Sequence, residues 1–186
     1  MRKFNGLRPQ DVVLLLKLVA HAPRKPWQGK ELAKELELST SEISDSLARC
    51  RYSRLLSADP QRLSVHSLAL RELLEHGVPY IFAAHAGPFS RGIITGASAP
   101  PLSQTFGPEP AYVWPAADGE VWGIAIEPLY AGVPAAAQRD NRLHELLALV
   151  DALRLGRPRE RVLASRLLKE YIPLPFPNAS HAESDT

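Results

Sequence analysis

Apolar residues recur at helical spacing in the first 80 residues and again after residue 140. Val12, Leu15, Leu16 and Val19 mark a first helix, widened by Leu14 and Leu18. Pro9 opens it, Asp11 sits in its first turn, and Pro23 and Pro26 end it. A second helix is expected from about Gln28 to Leu36, with Leu32, Ala33 and Leu36 inward. After the short turn Glu37-Leu38-Ser39, a third helix starts. Ser39 with Glu42 three residues later reads as a reciprocal capping box, and Ile43, Leu47 and Cys50 form the apolar face. Leu55–Ser57 and Arg62–Val65 flank Asp59-Pro60, the pattern of a short hairpin. A fourth helix over Ser67–His76 is expected to stop at Gly77 and Pro79.

The pattern then changes. Gly87 to Pro110 is rich in Pro, Gly and Ser and reads as an irregular connector lying against a surface. Ala111–Trp114 and Val121–Ile126 flank Asp118-Gly119, a strong short-range hairpin signal. A helix follows over about Asp140–Leu155, with Gly156 placed as its C-terminal glycine. Pro158 then opens a last helix that runs to about Tyr171. The fold class is therefore α+β and mostly helical: a helix-turn-helix with a wing, a Pro-rich connector, a β-hairpin and a C-terminal helix pair. The divisions are 1–86, 87–172 and a polar, Pro-rich tail at 173–186, which composition marks as disordered.

Composition narrows the function classes. The longest apolar run, Val12–Leu16, is far short of the roughly 20 residues of a membrane helix. The start of the chain has no secretory signal pattern, and with a single cysteine the chain fits the cytoplasm. Net charge is +2, but residues 1–86 hold 13 Lys+Arg against 9 Asp+Glu, and the remainder 9 against 11. A mildly basic N-terminal half permits phosphate contact. The six histidines show no paired metal-ligand spacing, and no phosphate loop, nucleophile elbow or paired-carboxylate motif occurs. The expectation is a protein with no catalysis, metal or cofactor. Cys50 reads either as a buried thiol or as a redox sensor, which would need exposure and a lowered pKa.

The order helix, helix, tight turn, helix, hairpin, helix has a use on duplex DNA. One helix must stand clear of the core to enter the major groove while a hairpin reaches the backbone beside it. The third helix would present Thr40, Ser41, Ser44, Asp45 and Arg49. Gln28, Lys30, Arg51 and Arg54 surround it, and Gln61 and Arg62 stand at the hairpin tip. From Thr40 to Ala48 this helix has two acids, Glu42 and Asp45, and no base.

The stretch Lys30-Glu31-Leu32-Ala33-Lys34-Glu35-Leu36-Glu37-Leu38-Ser39-Thr40-Ser41-Glu42-Ile43-Ser44-Asp45-Ser46-Leu47-Ala48-Arg49 resembles the helix-turn-helix of MarR-like winged-helix regulators, and Arg54-Leu55-Leu56 resembles the entry to their wing. The resemblance covers about residues 8–76. It implies a bacterial-type repressor or activator, dimeric, reading a near-palindromic operator in double-stranded DNA. Members of that family usually carry Gly where Glu37 and Arg54 stand here.

Two function classes stay open on the sequence. One is the DNA-binding regulator, with a small-molecule effector among its expected partners. The other is a protein-interaction module or antitoxin whose C-terminal half binds a partner protein through Tyr112, Trp114, Trp122 and Tyr130, since Trp and Tyr are enriched at interface hot spots.

Overall fold

The computed structural model describes residues 6–21, 27–59, 63–107 and 110–174. The fold is α+β, with helices dominating and one small sheet. The expected tail, from residue 175, and the hairpin tip at 60–62 lie outside the described residues.

Helix α1 (Pro9–Ala20) is the centre of the molecule. Every residue from Asp11 to Leu18 is buried, so this helix has neighbours on all sides instead of the single stripe of a surface helix. It packs against α3 (Thr40–Tyr52) on one side and α7 (Asn141–Leu155) on another. Helix α2 (Gly29–Glu35) braces α3 through Leu32, Ala33 and Leu36. Ser39 caps α3 by accepting the Glu42 N–H at 3.0 Å. The expected return contact from Glu42 does not form. Its carboxylate instead accepts from Gln10 and Arg49, because a charged partner outcompetes a backbone amide.

Leaving α3, the chain makes one antiparallel bridge among the described residues, Leu56 with Val65. Helix α4 (Ser67–Glu72) does not stop at Gly77. A widened π turn over Leu73–Gly77 leads into α5 (Val78–Ile81), with Pro79 in its first turn. A proline ring clashes with the carbonyl four residues back in a regular helix, and the wider turn relieves that clash, so the rod continues.

The stretch expected to be an irregular connector contains β1 (Ala86–Ile94). It pairs antiparallel with both β2 (Tyr112–Pro115) and β3 (Val121–Ile126). β2 and β3 therefore do not form the hairpin that Asp118-Gly119 suggests. They run parallel, Tyr112 opposite Ile124, and close the three strands on themselves. Glycine makes this closure possible. A Cβ on Gly92 would sit 2.0 Å from the Trp114 carbonyl oxygen, and one on Gly119 would sit 2.3 Å from the Gly92 carbonyl carbon. Pro88 falls in the register shift between Ala86 and Phe89, where the ladder is interrupted.

Helix α6 (Val133–Arg139) leads into α7, whose Asp140 cap accepts from the N–H groups of Arg142 and Leu143. α7 is buried nearly all round, from Leu146 to Leu153 without a break. Gly156 ends it in extended backbone (φ −60°, ψ 154°), not in the left-handed form expected of a C-terminal glycine. A Cβ there would lie 2.2 Å from the Ala152 carbonyl oxygen. Helix α8 (Pro158–Tyr171) packs on α7. One hydrophobic cluster runs from Val12–Leu18 through Leu32, Ile43, Leu70 and Trp114 to Leu143–Leu153 and Leu168.

Candidate nucleic-acid interface

The outward face of α3 is built by what its inward face holds. Arg49 Nε and Nη2 donate to the two carboxylate oxygens of Asp11, each at 2.7 Å, and Ser46 donates to the same carboxylate. Asp11 is fully buried and also accepts the Arg8 N–H at 2.8 Å. Glu42 joins this network. Burial works against its charge, but hydrogen bonds from Arg49 and Gln10 outweigh burial and hold its carboxyl below the ordinary value. Arg49 is therefore a correction to the sequence reading. It points into the α1–α3 seam and is buried, because a fork of donors facing two carboxylates is held more tightly there than in water.

With Arg49 turned in, the exposed face of α3 carries Thr40, Ser41, Ser44, Ala48 and Tyr52. Asp45 and Arg51 are half-buried and already engaged by other groups. Gln28 and Lys30 are exposed at the start of α2, and Arg54 is exposed just past α3. Gln61 and Arg62 lie outside the described residues. The face is thus small, hydroxyl-rich and free of any fully exposed cation between Thr40 and Tyr52, with Arg54 beyond it and Lys30 beside it.

The turns on either side of α3 share one backbone feature. Among the described residues, the non-glycine residues with positive φ are Glu37 (φ 53°) and Arg54 (φ 58°). Glu37 reverses the chain from α2 into α3, and Arg54 turns it from α3 toward the Leu56–Val65 bridge. His66 Nδ1–H donates to the Arg54 carbonyl at 2.7 Å and fixes the second turn.

A second buried network joins this N-terminal unit to α7. Lys17, 2% exposed, donates to Glu35 at 3.0 Å and to Asp140 at 2.8 Å, and lies over the Trp27 ring at 5.3 Å. His21 Nε2–H donates to the same Asp140 oxygen at 2.6 Å. Burial works against the Asp140 charge, but hydrogen bonds from Lys17, His21 and the Leu143 amide outweigh it and hold the carboxyl below its ordinary value. A polar recess of about 540 Å³ opens at this network, between α1, α2 and the start of α7.

Of the four aromatic residues expected to meet a partner, the structure places Trp122 in the open, on the same sheet face as exposed Phe89. Trp114 is in the core. Its Nε1–H donates to Asp151 at 2.6 Å, and its ring tilts against His144. Asp151 also accepts from Thr95 and Arg154, and complete burial pushes its carboxyl up against their pull. Tyr130 is half-buried and donates its hydroxyl to the Leu36 carbonyl, and burial raises its pKa. Tyr112 is half-buried at the sheet closure, its N–H bonded to Ser98 Oγ. Trp114 and Tyr130 are thus corrections: an indole N–H and a phenol satisfied inside the fold are packing groups, not a docking surface.

Cys50 is fully buried, and burial pushes its thiol up to about 12, the opposite of what a redox sensor needs. Among the described residues no three His, Cys, Asp or Glu side chains converge as a metal site, and no helix is long and apolar enough to cross a membrane. No protein-family model, curated protein or solved structure matches the chain.

Proposed function

We propose that residues 8–76 form a winged helix-turn-helix and that the protein is a DNA-binding transcription regulator, acting as a dimeric repressor with α3 in the major groove. The observation that carries this reading is the pair of left-handed residues. Positive φ costs an ordinary residue about 1–2 kcal/mol and is usually left to glycine. Here it falls at Glu37 and Arg54, the two positions where the MarR-like family usually has Gly. Left-handed backbone at these two turns supports the reading, although the side chains differ.

The exposed face of α3 supports the same reading. Its Ser and Thr hydroxyls can meet base edges of either kind, and their small size lets the helix approach closely. Phosphate contacts would come from Lys30 and Arg54 at its margins.

The test is fluorescence anisotropy with duplex DNA from upstream of the gene and with a scrambled duplex, over a salt series. Selective binding that weakens steeply with salt is expected. Ser41→Glu with Ser44→Glu should remove the selectivity while leaving the melting temperature unchanged, because both residues are exposed. Equal binding of both duplexes at every salt concentration would overturn the proposal.

A further inference from the structure

A mixed apolar and basic surface lies two helices away from α3, which packs on α1, as α1 does on α7 and α7 on α8. There the α4–α5 rod and α8 form a groove of about 470 Å³. Glu75 and Tyr80 stand on one wall, Arg161, Val162, Arg166 and Lys169 on the other, and buried Leu153 lies beneath. Along α8, Arg159, Val162, Arg166 and Lys169 recur at i, i+3, i+7 and i+10, a single stripe roughly 15 Å long. None of Arg159, Arg161, Arg166 and Lys169 makes an ion pair or side-chain hydrogen bond among the described residues. The apolar members are open as well: Tyr80 is 74% exposed, Val162 72% and neighbouring Ile81 61%.

Unpaired cations suit phosphates and carboxylates alike. The apolar residues separate the two. A phosphate backbone gains nothing from an aliphatic side chain in the middle of the cation stripe, whereas a protein helix buries Val162 and Tyr80 against its own Leu or Ile. Tyr and Arg are also the residues that interfaces favour. A cleft between two helical walls that both rest on α7 has the shape that accepts a further helix. We infer that the α5–α8 groove docks an acidic amphipathic helix of a partner protein. Its apolar stripe would cover Tyr80 and Val162, and flanking carboxylates would meet Arg161, Arg166 and Lys169. This surface is independent of the DNA-binding proposal.

The test uses the full-length protein and a fluorescein-labelled helical peptide of about 18 residues, with Leu at i, i+3, i+4 and i+7 and Glu elsewhere. The comparison probes are a scrambled peptide of equal composition and a single-stranded oligonucleotide of equal charge. The amphipathic peptide should bind at least about tenfold more tightly than either. Val162→Asp, Tyr80→Ala, and Arg166→Glu with Lys169→Glu should each weaken it about tenfold or more, with melting temperatures unchanged. Trp122→Ala should have no effect. Equal affinity for the scrambled peptide would reduce the groove to net-charge attraction. Tighter binding of the oligonucleotide would make it a nucleic-acid surface. Indifference to the groove variants, or no binding of the peptide, would equally overturn the inference.

Discussion

Arg49 grips Asp11 with both arms of its guanidinium, Nε to one carboxylate oxygen and Nη2 to the other, 2.7 Å each, in the seam between α3 and α1. The pair sets the roll of α3, and with it the side chains the helix presents to solvent. Truncating Arg49 to Ala leaves a fully buried carboxylate without its counter-ion. Urea unfolding should show a loss of about 3–5 kcal/mol, and replacing both partners by apolar residues of similar size should recover most of it. A loss below about 1 kcal/mol would put the pair in the weak class of exposed bridges.

Arg54 is a site where a smaller residue should help. Its φ of 58° suits glycine, its side chain is exposed, and the contact from His66 uses only its carbonyl. Arg54→Gly relieves the strain but adds freedom to the unfolded chain, so a net gain of about 0.5–1 kcal/mol is expected in chemical denaturation. Glu37→Gly should gain less, because Glu37 also pairs with Arg139, a half-exposed bridge worth at most about 1 kcal/mol.

The Asp140 network predicts an acid-side loss of stability. A carboxyl held below its ordinary value of 3.8 stabilises the fold fully above that value, and the contribution fades as pH falls through the lower folded value. Asp140→Asn should cost on the order of 3 kcal/mol at pH 7, since Lys17 then keeps Glu35 alone as a charged partner among the described residues. Urea melts of both proteins from pH 7 downward should converge below pH 3.8. A constant offset would mean that the carboxylate charge is not what stabilises the site.

Cys50 should be silent toward iodoacetamide at pH 8. With its thiol pushed up to about 12 and no solvent access, modification should proceed only as fast as the protein opens, and fully in urea. Rapid stoichiometric labelling of the native protein would contradict this burial.

At the sheet closure, Gly92→Ala should break the structure. The added methyl would lie 2.0 Å from the Trp114 carbonyl oxygen and 2.7 Å from its carbonyl carbon, backbone atoms of the paired strand that cannot swing aside. A destabilisation of about 3 kcal/mol or more is expected in thermal melts followed by Trp fluorescence. An unperturbed melt would mean that the three strands do not close so tightly.

The helices were legible from the sequence because each carries its own signal: Pro9 and Pro158 at the starts, Ser39 at the cap, and Leu periodicity in between. What was hidden depends on partners far along the chain. Arg49 looks like an outward cation until Asp11, 38 residues away, is known to face it. β1 is masked because Gly87, Pro88 and Gly92 disfavour a strand locally, while the crowding that demands Gly92 comes from β2. Trp114 reads equally as a hot spot or a core residue until its indole N–H is seen on Asp151. Pro79 reads as a stop, because a widened turn leaves no local mark. The face of α3 was legible in Thr40, Ser41 and Ser44. The α5–α8 groove was not, since its two walls are some 80 residues apart in sequence.

The encasement of α1 also bears on how the protein is made. Helix α1 is enclosed over eight residues in the finished fold, and Lys17 must wait for an aspartate that lies 123 residues downstream. Until that aspartate is synthesised, a greasy helix stays open to misassociation. Such long-range closure slows folding and favours early chaperone capture of the nascent chain.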